Sequence, residues 1–170
     1  MSSSWDASQT GDDEDQTNSK FTTADVIAAN QKLLDAISRC DYATYDELCA
    51  DDLTAFESES NGMLISGKNF HKYYFDLYGG NDDNKGAQDT TTQINITMSN
   101  PHVRWLGGGC CSDGCGDGSA AVISYVRMDQ SIDVDESSDN KGSPVTRLSS
   151  ETRVWENRDG RLVHVHFHKS

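Results

Sequence analysis

Three basic side chains fall on predicted strands at positions from which they can share one pocket. Arg127 lies on the same strand face as Tyr125, and Arg153 shares a face of the next strand with Glu151, because strand side chains alternate between two faces. Lys169 lies near the end of the last predicted strand. Partly buried cations that lack enough acids form an anion pocket suited to a carboxylate or a phosphate. If each cation instead pairs with a structural carboxylate, the same residues only stabilise the fold, and the sequence leaves both interpretations open.

His71, near the start of an aromatic-rich predicted helix, can line the same pocket. With Tyr125 and Glu57 it is a candidate general acid or base if the pocket is the active site of a small-molecule enzyme. The sequence contains no phosphate-binding loop followed by Lys-Ser/Thr, no G-x-S-x-G elbow and no kinase catalytic motif. By its motifs it is therefore not itself a kinase or nucleotide hydrolase. An anion-binding or peptide-binding module is the other alternative for this pocket.

Three histidines alternate along the last predicted strand. His164, His166 and His168 are spaced to lie on one face, a geometry that can bind a transition metal. Zinc sites usually take their ligands from separate elements, so we expect no metal and no other cofactor. Lys169 is predicted on the opposite face, together with Val163, Val165 and Phe167.

The chain has an odd number of cysteines. They are Cys40, Cys49, Cys110, Cys111 and Cys115. Because no export signal is visible, we expect free thiols in a reducing compartment, the cytoplasm. The last three lie in a glycine-rich segment but lack the paired C-x-x-C spacing of a zinc knuckle.

Charge excludes two classes of partner. The 170 residues contain 14 Lys and Arg against 28 Asp and Glu, a net charge of −14 that repels phosphate backbones and anionic lipid headgroups. We expect neither a nucleic acid nor a membrane as partner. Residues 1–20 are acidic and poor in apolar residues, which predicts a disordered tail before one domain at 21–170.

The spacing of apolar residues predicts helices first and strands afterwards. Thr22 with Asp25 resembles a capping signal for a long amphipathic helix, and Asp41 can cap a short helix that ends at Leu48. A β-hairpin at 53–57 and 63–65 and an aromatic helix at 70–78 follow. Strands are predicted at 92–106, 120–133, 145–155 and 162–169, with polar loops at 79–89, 107–118 and 134–143. This order predicts an α+β fold with an antiparallel meander.

The strand that begins near Ile123 has apolar residues on both faces. Val126, Met128 and Ile132 lie on the face opposite Ile123 and Tyr125. The helices can cover only one face of the sheet, and large exposed apolar patches usually mark interfaces. These three residues are a candidate self-association surface, or else stray apolar residues on a solvated face.

Seven short motifs together resemble one known family. They are Leu53-Thr54-Ala55-Phe56-Glu57, Phe70-His71-Lys72-Tyr73-Tyr74-Phe75, Asn100-Pro101-His102-Val103, Tyr125-Val126-Arg127, Glu151-Thr152-Arg153-Val154-Trp155, Arg158-Asp159-Gly160 and Val165-His166-Phe167-His168. In this order they resemble the association (hub) domain of calcium/calmodulin-dependent protein kinase II, over residues 21–170. The resemblance implies a cone-shaped fold like that of nuclear transport factor 2, with a long helix cradled by a curved antiparallel sheet.

The resemblance also implies a function. Family hubs assemble into two stacked rings, about 12 to 18 subunits in all, that hold kinase domains together. Their basic cavity would correspond here to His71, Arg127, Arg153 and Lys169. The implied partners are further copies of the chain and a kinase or its regulatory peptide. Because no kinase domain or calmodulin-binding helix is recognisable in the sequence, we expect a free-standing hub-like protein or an excised hub.

Overall fold

Three helices come early in the chain and the long strands come later. The computed structural model describes residues 21–79, 94–107, 119–134 and 136–170. The elements are α1 (Thr23–Ser38), α2 (Tyr42–Leu48), β1 (Cys49–Phe56), β2 (Ile65–Ser66), α3 (Asn69–Gly79), β3 (Asn95–Leu106), β4 (Ala120–Ile132), β5 (Pro144–Arg158) and β6 (Arg161–Lys169). The acidic tail at 1–20 and Cys110, Cys111 and Cys115 lie outside the described residues. Among the described helices, none combines the length and apolar character needed to cross a membrane.

Local side-chain caps set the starts of α1 and α2. Thr22 Oγ1 accepts a hydrogen bond from the backbone N–H of Asp25 at 3.2 Å, and Asp25 accepts one from the backbone N–H of Thr22 at 2.7 Å. This reciprocal capping box satisfies two N–H groups that the helix leaves unpaired. Asp41 caps α2 by accepting from the N–H of Thr44. Both predicted helix starts are confirmed.

The six strands form one mixed sheet in the order β2-β1-β6-β5-β4-β3. The strands β3 to β6 are consecutive antiparallel neighbours, as predicted, and β1 and β2 form the predicted antiparallel hairpin. The strand β1 pairs with β6 in parallel, so the prediction of a purely antiparallel sheet is wrong in this one respect. The patterns of residues along each strand predict that the strand exists, but not its direction beside a strand more than 100 residues away.

Helix α1 covers the concave face of the sheet. Val26, Leu33 and Leu34 of α1 are completely buried, as are Ile123 of β4 and Trp155 of β5. Burying a side chain of this size contributes roughly 1.5–3 kcal/mol. The helix also makes polar contacts with the sheet, such as the hydrogen bond that the indole N–H of Trp155 donates to the amide oxygen of Asn30 at 3.2 Å.

The two faces of β4 are covered very differently. Ile123 and Tyr125 are buried on the concave face, whereas Val126 and Met128 are only partly buried on the convex face. Ile132 at the end of the strand is 46% exposed. The predicted division of these residues between two faces is confirmed.

A β-bulge divides the histidines of β6. Val154 pairs with His166, but Trp155, its neighbour along β5, pairs with His164, so Val165 is the extra residue. His164 consequently lies on the buried face beside Trp155, while His166 lies on the convex face beside Val154. The prediction that His164, His166 and His168 share one face is wrong. By the same register Val163 pairs with Glu156 and does not share the face of Phe167 and Lys169.

Candidate functional site

A pocket of about 280 Å³ opens between the concave sheet and the helices. Strands β4, β5 and β6 supply Arg127, Arg153 and Lys169, and α3 supplies His71. Four of the five predicted pocket residues therefore line one cavity. The fifth, Tyr125, does not line it but contacts Arg153 from the adjacent strand.

Arg153 is buried and held by a set of polar partners. Its Nε donates to the hydroxyl of Tyr125 at 2.8 Å, and its Nη2 donates to Glu151 Oε2 at 3.1 Å. The guanidinium lies 3.9 Å from the ring centroid of Phe167, a cation–π contact. Burial works against the charged form of Arg153, but Tyr125 and Glu151 outweigh it and raise the pKa. Arg153 therefore stays charged inside the protein.

Glu151 is the buried acid that balances this cation. Burial alone would raise the pKa of Glu151, but Arg153, the hydroxyl of Tyr125 and Arg127 lower it below the usual value. Arg127 Nη1 lies 3.5 Å from Glu151 Oε1. The hydroxyl of Tyr125 donates a hydrogen bond to Glu151. The pKa of Tyr125 is raised, mainly because the side chain is buried. The carboxylate therefore joins the two arginines of β4 and β5.

His164 extends this polar network to the other side of the core. Its Nε2 lies 3.4 Å from Arg153 Nη1, and its Nδ1 lies 3.4 Å from Cys49 Sγ. Since arginine can only donate, Nε2 must accept and the ring proton is on Nδ1. Burial first, and then the charge of Arg153, lower the pKa of His164 well below its usual value. Burial raises the pKa of Cys49 to about 12, so the thiol stays protonated and unreactive.

The more accessible basic groups of the pocket also have acidic neighbours. Arg127 Nε donates to Asp129 Oδ1 at 2.6 Å, and Lys169 Nζ lies 3.3 Å from Glu59 Oε1. Burial works against the charged form of Glu59, but contacts with Ser58 and Lys169 lower its pKa. The structural carboxylates that the sequence left as an alternative are thus present around the pocket.

His71 stands out because its ring nitrogens are buried without hydrogen bonds. Its Nε2 lies 3.0 Å from Glu57 Oε1, but the two groups are not aligned for a hydrogen bond. Neither Nε2 nor Nδ1 has a hydrogen-bond partner among the described residues. A group that enters the pocket could satisfy them.

Several residues that line the pocket were not predicted from the sequence. Tyr74 and Tyr78 line the pocket with stacked rings, and their i, i+4 spacing on α3 was a usable signal. Glu59 also lines it, from the short 3-10 turn Ser58–Ser60 after β1. His164 was assigned to the wrong face because no local pattern reveals a bulge. In the part of the chain that the structure describes, no group of three or more His, Cys, Asp or Glu side chains is arranged to hold a metal ion.

A second feature is the convex face of the sheet, which the described helices leave uncovered. Apolar residues of β4 and β5 are neighbours there, and they include Val122, Val126, Met128, Ile132, Leu148 and Val154. Leu148, opposite Met128, is 67% exposed. The three residues predicted as an interface all belong to this convex apolar face.

Sequence comparison identifies the family of the chain. The sequence profile of the calcium/calmodulin dependent protein kinase II association domain matches residues 22–170. The chain belongs to this association-domain family. A calcium/calmodulin-dependent protein kinase type II from Caenorhabditis briggsae is 38% identical over 165 residues, which are 97% of this chain and 26% of that protein. The chain therefore spans about a quarter of that relative, and the match covers its non-catalytic association domain and not its kinase part.

Solved structures give the same family and the wider fold. The hub homology domain of Chlamydomonas reinhardtii is 39% identical with a TM-score of 0.69, covering 86% of this chain and 95% of that one. An NTF2-like protein from Pseudomonas putida KT2440 is 13% identical with a TM-score of 0.57, covering 86% of this chain and 84% of that one. That likeness concerns the fold alone. The predicted α+β fold of the NTF2-like type is confirmed, and family membership supports a role in oligomerisation.

Proposed function

We propose that this chain is a non-catalytic hub that self-assembles into a two-tiered ring of about 12 to 18 subunits and holds kinase domains or other partners together. The observation that carries the proposal is the convex apolar face of β4 and β5. Subunits joined in this way raise the effective concentration of whatever is attached to them toward the millimolar range. A cytoplasmic location is part of the proposal, supported by kinship with calcium/calmodulin-dependent kinases.

The chemistry of the convex apolar face suits another protein surface. Its apolar side chains pair across two strands, as in Val122 with Val154 and Met128 with Leu148. Contiguous apolar surface of this kind is rare on monomeric proteins and usually marks an interface. A second copy of the chain is the proposed occupant, because the family is defined as an association domain.

Native mass spectrometry across a dilution series tests this proposal. We expect one large species of about twelve or more subunits that resists dilution. The variant Met128→Asp places a charge on the convex apolar face and should give smaller species. Ala24→Asp is the matched control, because it adds the same charge at an exposed position in the first turn of α1, where an acid is favourable.

One outcome would contradict the hub function, and another would contradict only the proposed contact surface. A monomer of the unmodified chain at micromolar concentration contradicts the hub function. A Met128→Asp variant that is folded by circular dichroism and still forms the large species removes the convex apolar face as the contact.

We propose that the chain has a second function, the binding of a ligand in the pocket, since four of the predicted residues line this one cavity. His71, Arg127 and Lys169 would contact the ligand, while Arg153, positioned by Tyr125, would line the pocket behind them. A ligand that carries a carboxylate, either a small molecule or a peptide segment, suits these cations. Binding of a small carboxylate that is lost in Arg127→Gln would support this function.

A further inference from the structure

The pocket has two walls of opposite chemistry. The sheet wall is formed by the basic side chains of Arg127, Arg153 and Lys169. The helical wall is formed by α3 and the segment after β1, and it carries two carboxylates together with aromatic rings. Its members used below are Glu57, Glu59, His71, Tyr74 and Tyr78.

The helical wall has the composition of a cation site. Tyr74 and Tyr78 stack with ring centroids 6.3 Å apart and planes 16° apart. Glu57 and Glu59 line the same pocket as these rings, and their negative charges, after burial, raise the pKa of Tyr74. Aromatic faces combined with carboxylates attract ammonium groups through the ring quadrupole and through direct ion pairing.

Glu57 is the best placed acid on this wall. Its side chain is only 10% exposed, and its Oε1 faces His71 without a hydrogen bond. His71, which pairs with this carboxylate at 3.0 Å, is charged only when it is protonated, so a permanent cation that enters the pocket would compensate the buried negative charge of Glu57. The unpaired ring nitrogens of His71 lie beside it.

The sheet wall keeps donors for an anion, but not through Arg153. Arg153 already directs three of its nitrogens to Tyr125, Glu151 and His164. Arg127 and Lys169 are the accessible cations, with side chains 13% and 22% exposed. They therefore supply the sheet wall's contact to a carboxylate.

The overall charge around the pocket disfavours a ligand that is only anionic. Three permanent cations line it, while Glu57 and Glu59 line it and Glu151 and Asp129 pair with its arginines. Four carboxylates therefore surround three cations. A ligand that brings its own positive charge avoids this imbalance.

We propose that the pocket binds a small amphoteric molecule, with an ammonium group at the helical wall and a carboxylate at the sheet wall. The class includes amino acids and their longer homologues. The volume of about 280 Å³ is near the lower end of small-molecule sites, which fits a ligand of this size. This inference rests on the proposed ligand-binding function of the same pocket.

Calorimetric titration of the full chain with a matched series of probes tests the inference. The probes are ω-amino acids from glycine to 6-aminohexanoate, and for each the carboxylate and the amine of the same chain length. We expect the best amino acid to bind roughly tenfold or more tightly than its matched carboxylate and amine, the difference that one charged contact supplies.

Two variants assign the preference to the helical wall. Glu57→Gln keeps the side-chain shape and should reduce the preference for the amino acid over the carboxylate roughly tenfold. Glu59→Gln, at the more exposed rim, provides a second test if Glu57→Gln fails to fold. Glu47→Gln is the matched control, because Glu47 is exposed on α2 and does not line the pocket.

The results distinguish the two levels of the proposal. If the carboxylates bind as tightly as the amino acids, the amphoteric ligand is wrong while the ligand-binding function stands. If no probe binds at millimolar concentration, both are wrong. If amino acids are preferred equally by the unmodified chain, Glu57→Gln and Glu59→Gln, the helical wall does not hold the ammonium group and the inference fails.

Discussion

Beside the pocket, the concave and convex faces of β4 and β5 depart from the usual distribution of side chains. On the concave face, Glu151 and Arg153 bring charge into the protein interior, and the hydroxyl of Tyr125 is hydrogen-bonded to both. On the convex face, Met128 and Leu148 are apolar and uncovered by the described helices. In ordinary half-covered sheets the apolar residues face the core and the polar ones face water.

Each face depends on partners of a different kind. The inner charges are compensated within the subunit, so their loss should destabilise the fold. No described helix covers the outer apolar side chains, so their loss should affect assembly more than the fold. Three variants test this difference, in order of decreasing effect on stability.

The largest effect is expected for Glu151→Ala. This change leaves Arg153 buried without its carboxylate and should lower the free energy of unfolding by about 3–5 kcal/mol. Urea denaturation at a fixed protomer concentration measures the loss, since assembly also contributes to apparent stability.

Glu156→Ala on the same strand is the matched control for Glu151→Ala. Glu156 pairs with Arg158 at the surface, where an ion pair contributes about 0–1 kcal/mol. Equal losses in the two variants would mean that the buried network has no special part in stability.

A smaller, pH-dependent effect is expected from His164. Its pKa is lowered in the folded protein, so the unfolded chain binds a proton below about pH 6.5 that the folded chain does not bind. The contribution of His164 to stability is therefore fully present above that pH. Because of this residue, the free energy of unfolding should fall by about 1 kcal/mol from pH 6.5 to 5.5. In His164→Gln this part of the pH dependence should disappear.

Exposed His102 provides the control for the pH experiment. His102→Gln should keep the acid loss of stability seen in the unmodified chain, because His102 lies at the surface. Indistinguishable pH profiles for His164→Gln and the unmodified chain would contradict a neutral, buried His164.

The smallest effect on the fold is expected for Leu148→Ala. At 67% exposure Leu148 should change the unfolding free energy of a separated subunit by less than about 0.5 kcal/mol. The measurement compares the double variant Met128→Asp, Leu148→Ala with Met128→Asp alone, in which we expect the subunits to be dissociated. A loss above about 1 kcal/mol would show that Leu148 supports the subunit itself and would weaken the contrast between the faces.

Local signals in the sequence predicted the helices and most strands. The capping pairs at Thr22 and Asp41 fixed two helix starts, and alternation along β4 separated Tyr125 and Arg127 from Val126 and Met128. These signals succeed because caps and alternation depend only on neighbouring residues.

Other features depended on contacts between distant residues. The parallel pairing of β1 with β6 joins residues such as Ala55 and Phe167, and no local pattern sets its direction. Because of the bulge at Val165, His164 lies on the buried face, where it contacts Cys49, a residue distant in the sequence. The pocket was predicted as a set of cations with Glu57 as a candidate acid, but the place of Glu59 in it became visible only when the strands and helices were brought together.

The single extra residue in β6 also determines which face of the sheet the last side chains of the strand point to. From Val165 onward, Phe167 and Lys169 point to the concave side because the bulge has shifted the alternation by one position. If β6 instead alternated regularly through Val165, with His164 still opposite Trp155, both would point outward and His166 and His168 would point into the pocket. The bulge thus acts as a two-position setting, in which regular pairing would exchange the ring and ammonium of the pocket for two imidazoles, whereas deletion of Val165 would leave Phe167 and Lys169 on the concave side.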